Sequence, residues 1–172
     1  VKAHANRVSL IAKGNLYHNI FQTIPTPDTI PRAVTQIKSK GCFENLADSE
    51  EVNKQIITLI SNREKDHPEW FSPDWKVINE RAIIFNDEVE GMKNKRPDRV
   101  IVKGDRAIII DYKTAVGVVS GAQEGFPPAI HTLEENKGQV KLYAQLLTQL
   151  GFKQIDAYLW YILDDEIVEV NC

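Results

Sequence analysis

The sequence predicts an α/β domain in which a central mixed β-sheet is flanked by helices, with elements in the order α-β-β-β-α-β. Three observations carry that reading. Two Val- and Ile-rich runs, Arg99 to Val102 and Ala107 to Ile110, flank the pair Gly104-Asp105, the signature of a two-residue hairpin. Both faces of that hairpin are apolar, as expected of a central strand covered on both sides. Helical periods precede and follow it, with no internal repeat.

Each element has its own signal. From Ala5 to about Phe21, apolar residues at Val8, Ile11, Leu16 and Ile20 predict a first helix. Pro25 to Pro31 is a proline-containing connection, and Arg32 to Lys40 is a short helix closed by Gly41. Asp48 or Ser49 caps a helix that carries Val52, Ile56, Leu59 and Ile60 on one face and ends before His67-Pro68. Lys76 to Phe85 reads as a strand and is followed by a basic loop. After the hairpin, Val116 to His131 is a loop with Gly117, Gly121, Gly125 and the pair Pro127-Pro128, of a length that marks functional or mobile segments. Thr132 opens a helix, Glu135 completes a capping box and Gly151 closes the helix. Ile155 to Leu163 and Ile167 to Val170 form a last strand pair around Asp164 and Asp165.

Composition bounds the function. At 172 residues, 42% hydrophobic and 26% charged, the chain predicts one domain, residues 1–172, able to bury a full core. No apolar run approaches the roughly 20 residues of a membrane span and no signal-peptide pattern opens the chain, so a soluble, cytoplasmic protein is expected. Cys42 and Cys172 supply neither a disulfide framework nor a four-cysteine cluster. The start at Val1, with Met92 as the single methionine, predicts a domain cut from a larger protein. A net charge of −3 argues against nucleic-acid binding through bulk charge. It leaves a local basic cluster, Lys93, Lys95 and Arg96, with Lys103 and Arg106 at the hairpin tip.

Hairpin register concentrates the chemistry. With Gly104 and Asp105 as loop residues, Lys103 pairs with Arg106, Val102 with Ala107 and Val100 with Ile109, and Asp98 falls opposite Asp111. Lys113 shares the face of Asp111 while Tyr112 and Thr114 turn away. Two like charges across a ladder destabilise it unless compensated, and a divalent cation is an economical compensation.

The run RPDRV…IIIDYKTA resembles the Pro-Asp…Asp-x-Lys signature of the PD-(D/E)XK nucleases. Gly14-Asn-Leu-Tyr-His18 is similar to the Gly-x-x-x-His helix of the RecB-like branch, and Gln139-Val-Lys-Leu-Tyr143 to its Gln-x-x-x-Tyr helix. Glu80 occupies the place of an acid common in that branch. The resemblance implies a restriction-endonuclease-like core and a deoxyribonuclease that hydrolyses DNA phosphodiester bonds. It further implies the exonuclease module of a repair or recombination enzyme fused to a UvrD-type helicase, as in exonuclease V beta-like proteins. By the same resemblance His18, Asp98 and Asp111 would hold Mg²⁺ or Mn²⁺, with Glu80 a secondary candidate. Lys113 and Gln139 would join Asp98 and Asp111 in catalysis, and Tyr143 would contact nucleic acid; the basic cluster itself makes Lys93, Lys95 and Arg96 nucleic-acid-binding candidates. Relatives that carry an iron-sulfur cluster use four cysteines, which this chain lacks.

Two rival readings are weaker. A P-loop nucleotide hydrolase needs a Gly-x-x-x-x-Gly-Lys-Ser/Thr loop that the sequence does not contain. A nucleic-acid-binding module of the same fold without catalysis would not need both acids, the lysine and the histidine together.

Overall fold

The computed structural model describes residues 2–39, 49–87, 91–114 and 132–172. Lys40, Gly41, Cys42, Asp48 and the stretch Val116 to His131 with its glycines and prolines lie outside the described residues, as do the side chains of Val8 and Ile11. In chain order the elements are α1 (Lys2–Phe21), α2 (Ile30–Ser39), α3 (Ser49–Asp66), β1 (Lys76–Asn79), β2 (Ile83–Asp87), β3 (Gly91–Lys95), β4 (Arg99–Lys103), β5 (Arg106–Lys113), α4 (Leu133–Gln149), β6 (Gln154–Tyr161) and β7 (Glu166–Glu169). Five strands form a mixed sheet in the order β1-β4-β5-β6-β7, and β2 pairs with β3 alone.

The central hairpin has the expected register. Val100 faces Ile109, Val102 faces Ala107 and Lys103 faces Arg106. Gly104 adopts φ 62 at the first loop position, which a type II′ turn reserves for glycine. β5 runs parallel to β6 from Arg106↔Gln154 to Lys113↔Tyr161, joined through α4. Its six interior residues are buried, so it is the covered central strand that its two apolar faces predict.

Period-two alternation divides the core into two layers. Ile101, Ile108, Ile110, Tyr112 and Trp160 point toward α1, α2 and α3, where they meet Tyr17, Ile20, Phe21, Ile37 and Ile56. Val100, Ala107, Ile109, Ala157 and Leu159 point the other way, onto Val140, Tyr143, Ala144 and Leu147 of α4. α4 begins with the predicted capping box: Thr132 Oγ1 accepts from the Glu135 N–H at 3.2 Å and the Glu135 carboxylate accepts from the Thr132 N–H at 2.6 Å. Arg99, 0% exposed, is buried within the layer that faces α1. Its guanidinium donates to the carbonyls of Ile24, Pro25 and Trp70 at 2.6, 2.9 and 2.8 Å, which satisfies a buried charge with fixed backbone dipoles.

The predicted strand Lys76 to Phe85 is two strands in two sheets. Glu80 sits at φ 51, a left-handed conformation that turns the chain out of the pleat, and its N–H donates to the Asp98 carbonyl at 3.1 Å. The expected basic loop is also a strand: Lys93 lies opposite Phe85 and Lys95 opposite Ile83. Its sequence, Gly-Met-Lys-Asn-Lys, lacks the apolar alternation that announces strands. Among the described residues no helix is long and apolar enough to cross a membrane.

Candidate metal centre

β5 carries its apolar run through Ile110 and then places Asp111 and Lys113 on the α4 side, Tyr112 and Thr114 on the α1 side. The two helical layers converge at this strand end. A cavity of about 180 Å³ opens there, lined by Gly14, His18, Asp98, Asp111, Lys113 and Gln139 among others.

Asp98 departs in detail from the register argument. The β4–β5 ladder ends at Arg99↔Ile110, so Asp98 is not a ladder partner of Asp111. Its Oδ2 accepts the Tyr112 N–H at 2.8 Å, which replaces the backbone acceptor that a longer β4 would have offered. The two acids still share the cavity.

His18 reaches Asp98 from α1, with Nε2 3.0 Å from Oδ2. Its Nδ1 lies 2.6 Å from Gln22 Nε2, one helical turn away. An amide that can present either NH₂ or oxygen after a flip suits either ring tautomer. Nε2 can therefore exchange its bond to Asp98 for a cation without leaving Nδ1 unpaired. The chain meets β5 closely at Gly14. A Cβ added there would fall 2.7 Å from Thr114 Cβ and nearer still to Oγ1 and Cγ2. Glycine thus lets α1 bring His18 to the strand end.

Lys113 Nζ lies 2.6 Å from Asp111 Oδ2, which gives that buried oxygen an ionic partner. The ammonium donates to Gln139 Oε1 at 3.1 Å, and Gln139 Nε2 donates to Tyr143 Oη at 2.6 Å. The i,i+4 pair on α4 therefore orients the lysine. Tyr143, expected to contact nucleic acid, is 2% exposed and reaches the site through Gln139.

Glu80, secondary in the sequence, is central in space. Donor atoms of His18, Glu80 and Asp98 all lie within 4.8 Å of one another. Glu80 Oε2 is 2.7 Å from Arg96 Nε, and Oε1 is buried without a hydrogen bond.

Electrostatics bear the marks of acids crowded together. Burial, then the Asp98 charge, pushes the Asp111 carboxyl up to about 6 against the pull of Lys113. Burial and then Asp98 also raise Glu80 above the usual carboxylate range. Burial works against a charged His18, yet its hydrogen bond to Asp98 and the charges of Asp98, Glu80 and Asp111 together outweigh it and raise the ring. Buried carboxylate oxygens on Glu80 and Asp111, beside an imidazole and a third carboxylate, make an oxygen-rich donor set with one nitrogen. That set could hold a metal ion.

No protein-family model matches the chain, and no curated protein matches it. Geometry and motif carry the reading.

The basic residues are less free than the sequence implies. Arg96 is held by Glu80, and Lys93 Nζ lies 3.9 Å from Asp87. Arg106 contacts Asp156 Oδ2 through Nε at 3.0 Å and NH2 at 2.7 Å. Sequence reasoning missed Gln22, Thr114 and the Glu80–Arg96 pair. Only the four-residue step from His18 to Gln22 left a trace in the sequence.

Proposed function

We propose that this chain is a metal-dependent deoxyribonuclease domain with the restriction-endonuclease-like core of the RecB-like PD-(D/E)XK nucleases, serving as the exonuclease module of a helicase-nuclease. The observation that carries the reading is the convergence of His18 from α1, Asp98 and Asp111 from the strand ends, and Lys113 with Gln139 on one cavity. Four motifs spread over the sequence meet there, which a solvated Asp-x-Lys would not require.

Asp98, Asp111 and His18 would hold the cation, with Glu80 close enough to contribute. The cation would polarise a phosphate and make a water nucleophilic at neutral pH. Lys113 places a positive charge where the phosphate gains negative charge in the transition state. Gln139, itself fixed by Tyr143, keeps the ammonium from swinging away. Asp98 is oriented by the Tyr112 N–H, so its position depends on backbone rather than on a rotamer alone.

The test is incubation with linear single-stranded DNA, linear duplex and closed circles in Mg²⁺, Mn²⁺ or chelator. Cleavage that requires the cation, and attacks linear molecules but not closed circles, is the expected result. Equal cleavage in excess chelator, or none with either metal, would overturn it.

A further inference from the structure

Arg96 stands two residues before Asp98, separated from it by the buried Pro97. Its guanidinium Nε lies 2.7 Å from Glu80 Oε2, with 63% of the arginine side chain exposed against 21% of the glutamate. The opposite oxygen, Glu80 Oε1, is buried without a hydrogen bond, and a carboxylate oxygen of Glu80 lies within 4.8 Å of donor atoms of His18 and Asp98. One carboxylate thus has a solvent-exposed monovalent partner on one oxygen, no hydrogen bond on the other, and two further potential ligands close by.

We infer that Arg96 is an internal stand-in for a divalent cation at Glu80, His18 and Asp98: the arriving cation displaces the guanidinium, which then becomes available to a substrate phosphate. The inference rests on the nuclease reading and assigns a second task to that same site. Charge balances in the exchange. Glu80 gives up a singly charged partner for a divalent one, and the released guanidinium neutralises one phosphate. A half-exposed ion pair is weak enough to yield, being worth roughly 0.2 to 1 kcal/mol, whereas a carboxylate on a hard cation at about 2.0 to 2.2 Å is a firm contact. Arginine, with its planar fork of donors, suits a phosphate better than lysine would. Its place two residues before Asp98 keeps the released group close to the site. Metal loading and substrate capture would then be coupled through one side chain.

Two measurements on Arg96→Gln test the exchange without reading activity. Calorimetric titration of Mn²⁺ in the absence of DNA should give roughly two- to fivefold tighter binding than wild type, since a competitor worth that much has gone. Anisotropy of a phosphorothioate-linked single-stranded oligonucleotide, followed across a salt series, should show loss of about 0.7 in the salt slope with Ca²⁺ present and little change in chelator. In Glu80→Gln, where nothing restrains Arg96, the slope should be the same in both conditions. Unchanged or weaker Mn²⁺ binding by Arg96→Gln would mean that the arginine merely holds Glu80 in place, and would overturn the inference. Equal slope loss in Ca²⁺ and chelator would do the same. Wild-type protein that takes up no Mn²⁺ would remove the nuclease reading along with it, whereas normal uptake with an indifferent Arg96→Gln removes this inference alone.

Discussion

Gly14→Ala adds one methyl group at the place where α1 meets β5. The new Cβ would stand 2.7 Å from Thr114 Cβ, whereas carbon atoms pack at about 3.5 to 4.0 Å. The clash is with an atom fixed to the backbone, so no rotamer of Thr114 relieves it and α1 must retreat by roughly 1 Å. Overpacking of this kind costs about 1 to 3 kcal/mol, while alanine in place of glycine returns about 1 kcal/mol of helix propensity. With the upper end of the first figure, the net loss is about 2 kcal/mol, or about 4 to 8 °C in melting temperature for a chain of this size. The larger effect falls on the site. His18 rides on the same helix one turn later, so a retreat of that size takes Nε2 out of ligand range and should weaken Mn²⁺ binding by about 10-fold or more. Melts in chelator and calorimetric Mn²⁺ titration read the two effects separately. Adding Thr114→Gly should restore both, and Thr114→Ala should not, because its Cβ remains. A Gly14→Ala protein as stable as wild type with unaltered Mn²⁺ affinity would refute the close approach.

Asp111→Asn should abolish cleavage, and in chelator it should also stabilise the fold. A carboxyl raised to about 6 in the folded state favours folding while protonated and loses that advantage as pH climbs from about 4 to 6, so wild type pays a penalty above pH 6 that asparagine avoids. The gain, on the order of 1 to 3 kcal/mol at neutral pH, should shrink as melts are repeated toward pH 4; a variant less stable at pH 7 would contradict it. His18→Ala should lower Mn²⁺ affinity by about 10- to 100-fold and Mg²⁺ affinity less, since nitrogen ligands favour transition metals; a lower melting point with unchanged Mn²⁺ affinity would make His18 a core residue only. Lys93→Gln with Lys95→Gln should weaken DNA binding for every sequence and flatten its salt dependence, by less than two full contacts because Asp87 already engages Lys93. Unaltered salt dependence would leave β3 as solvated surface.

Legibility followed the range of the interaction. The β4–β5 register was readable because a two-residue turn fixes every cross-strand pair, and the capping box of α4 because its partners lie three residues apart. Gln139 and Tyr143 share a helix face by spacing alone, and they do meet. The break at Glu80 was not readable. Nothing local demands a left-handed glutamate; it is held by a bond to the Asp98 carbonyl from another strand. β3 escaped for a related reason, since its three lysine and asparagine residues carry no alternation and gain their pairing only from β2. Asp98 was read as a ladder position, whereas the ladder stops one residue short and its carboxylate takes over the hydrogen bond.

The same contrast explains how so many acids can stand at one strand end before a cation arrives. Each carboxylate has a separate resident partner, and each partner comes from a different kind of neighbour. Lys113 reaches Asp111 from the same strand, His18 reaches Asp98 from α1, and Arg96 reaches Glu80 from the segment entering β4. Had one cation served all three, its loss would leave a buried cluster of like charge, which is among the costlier defects a core can carry. Distributed partners keep the apoprotein folded and set how the site is loaded. Lys113 is anchored by Gln139 and stays beside Asp111, so a metal must share that acid with it. His18 can turn its lone pair outward because Gln22 accommodates either tautomer. Arg96, the most exposed of the three, is the one that can leave. On the proposed reading, these internal competitors would lower affinity for the cation and spare the fold from depending on metal. Chelator should therefore abolish cleavage while leaving the two-layer core, and the far-ultraviolet circular dichroism that reports its helices, intact.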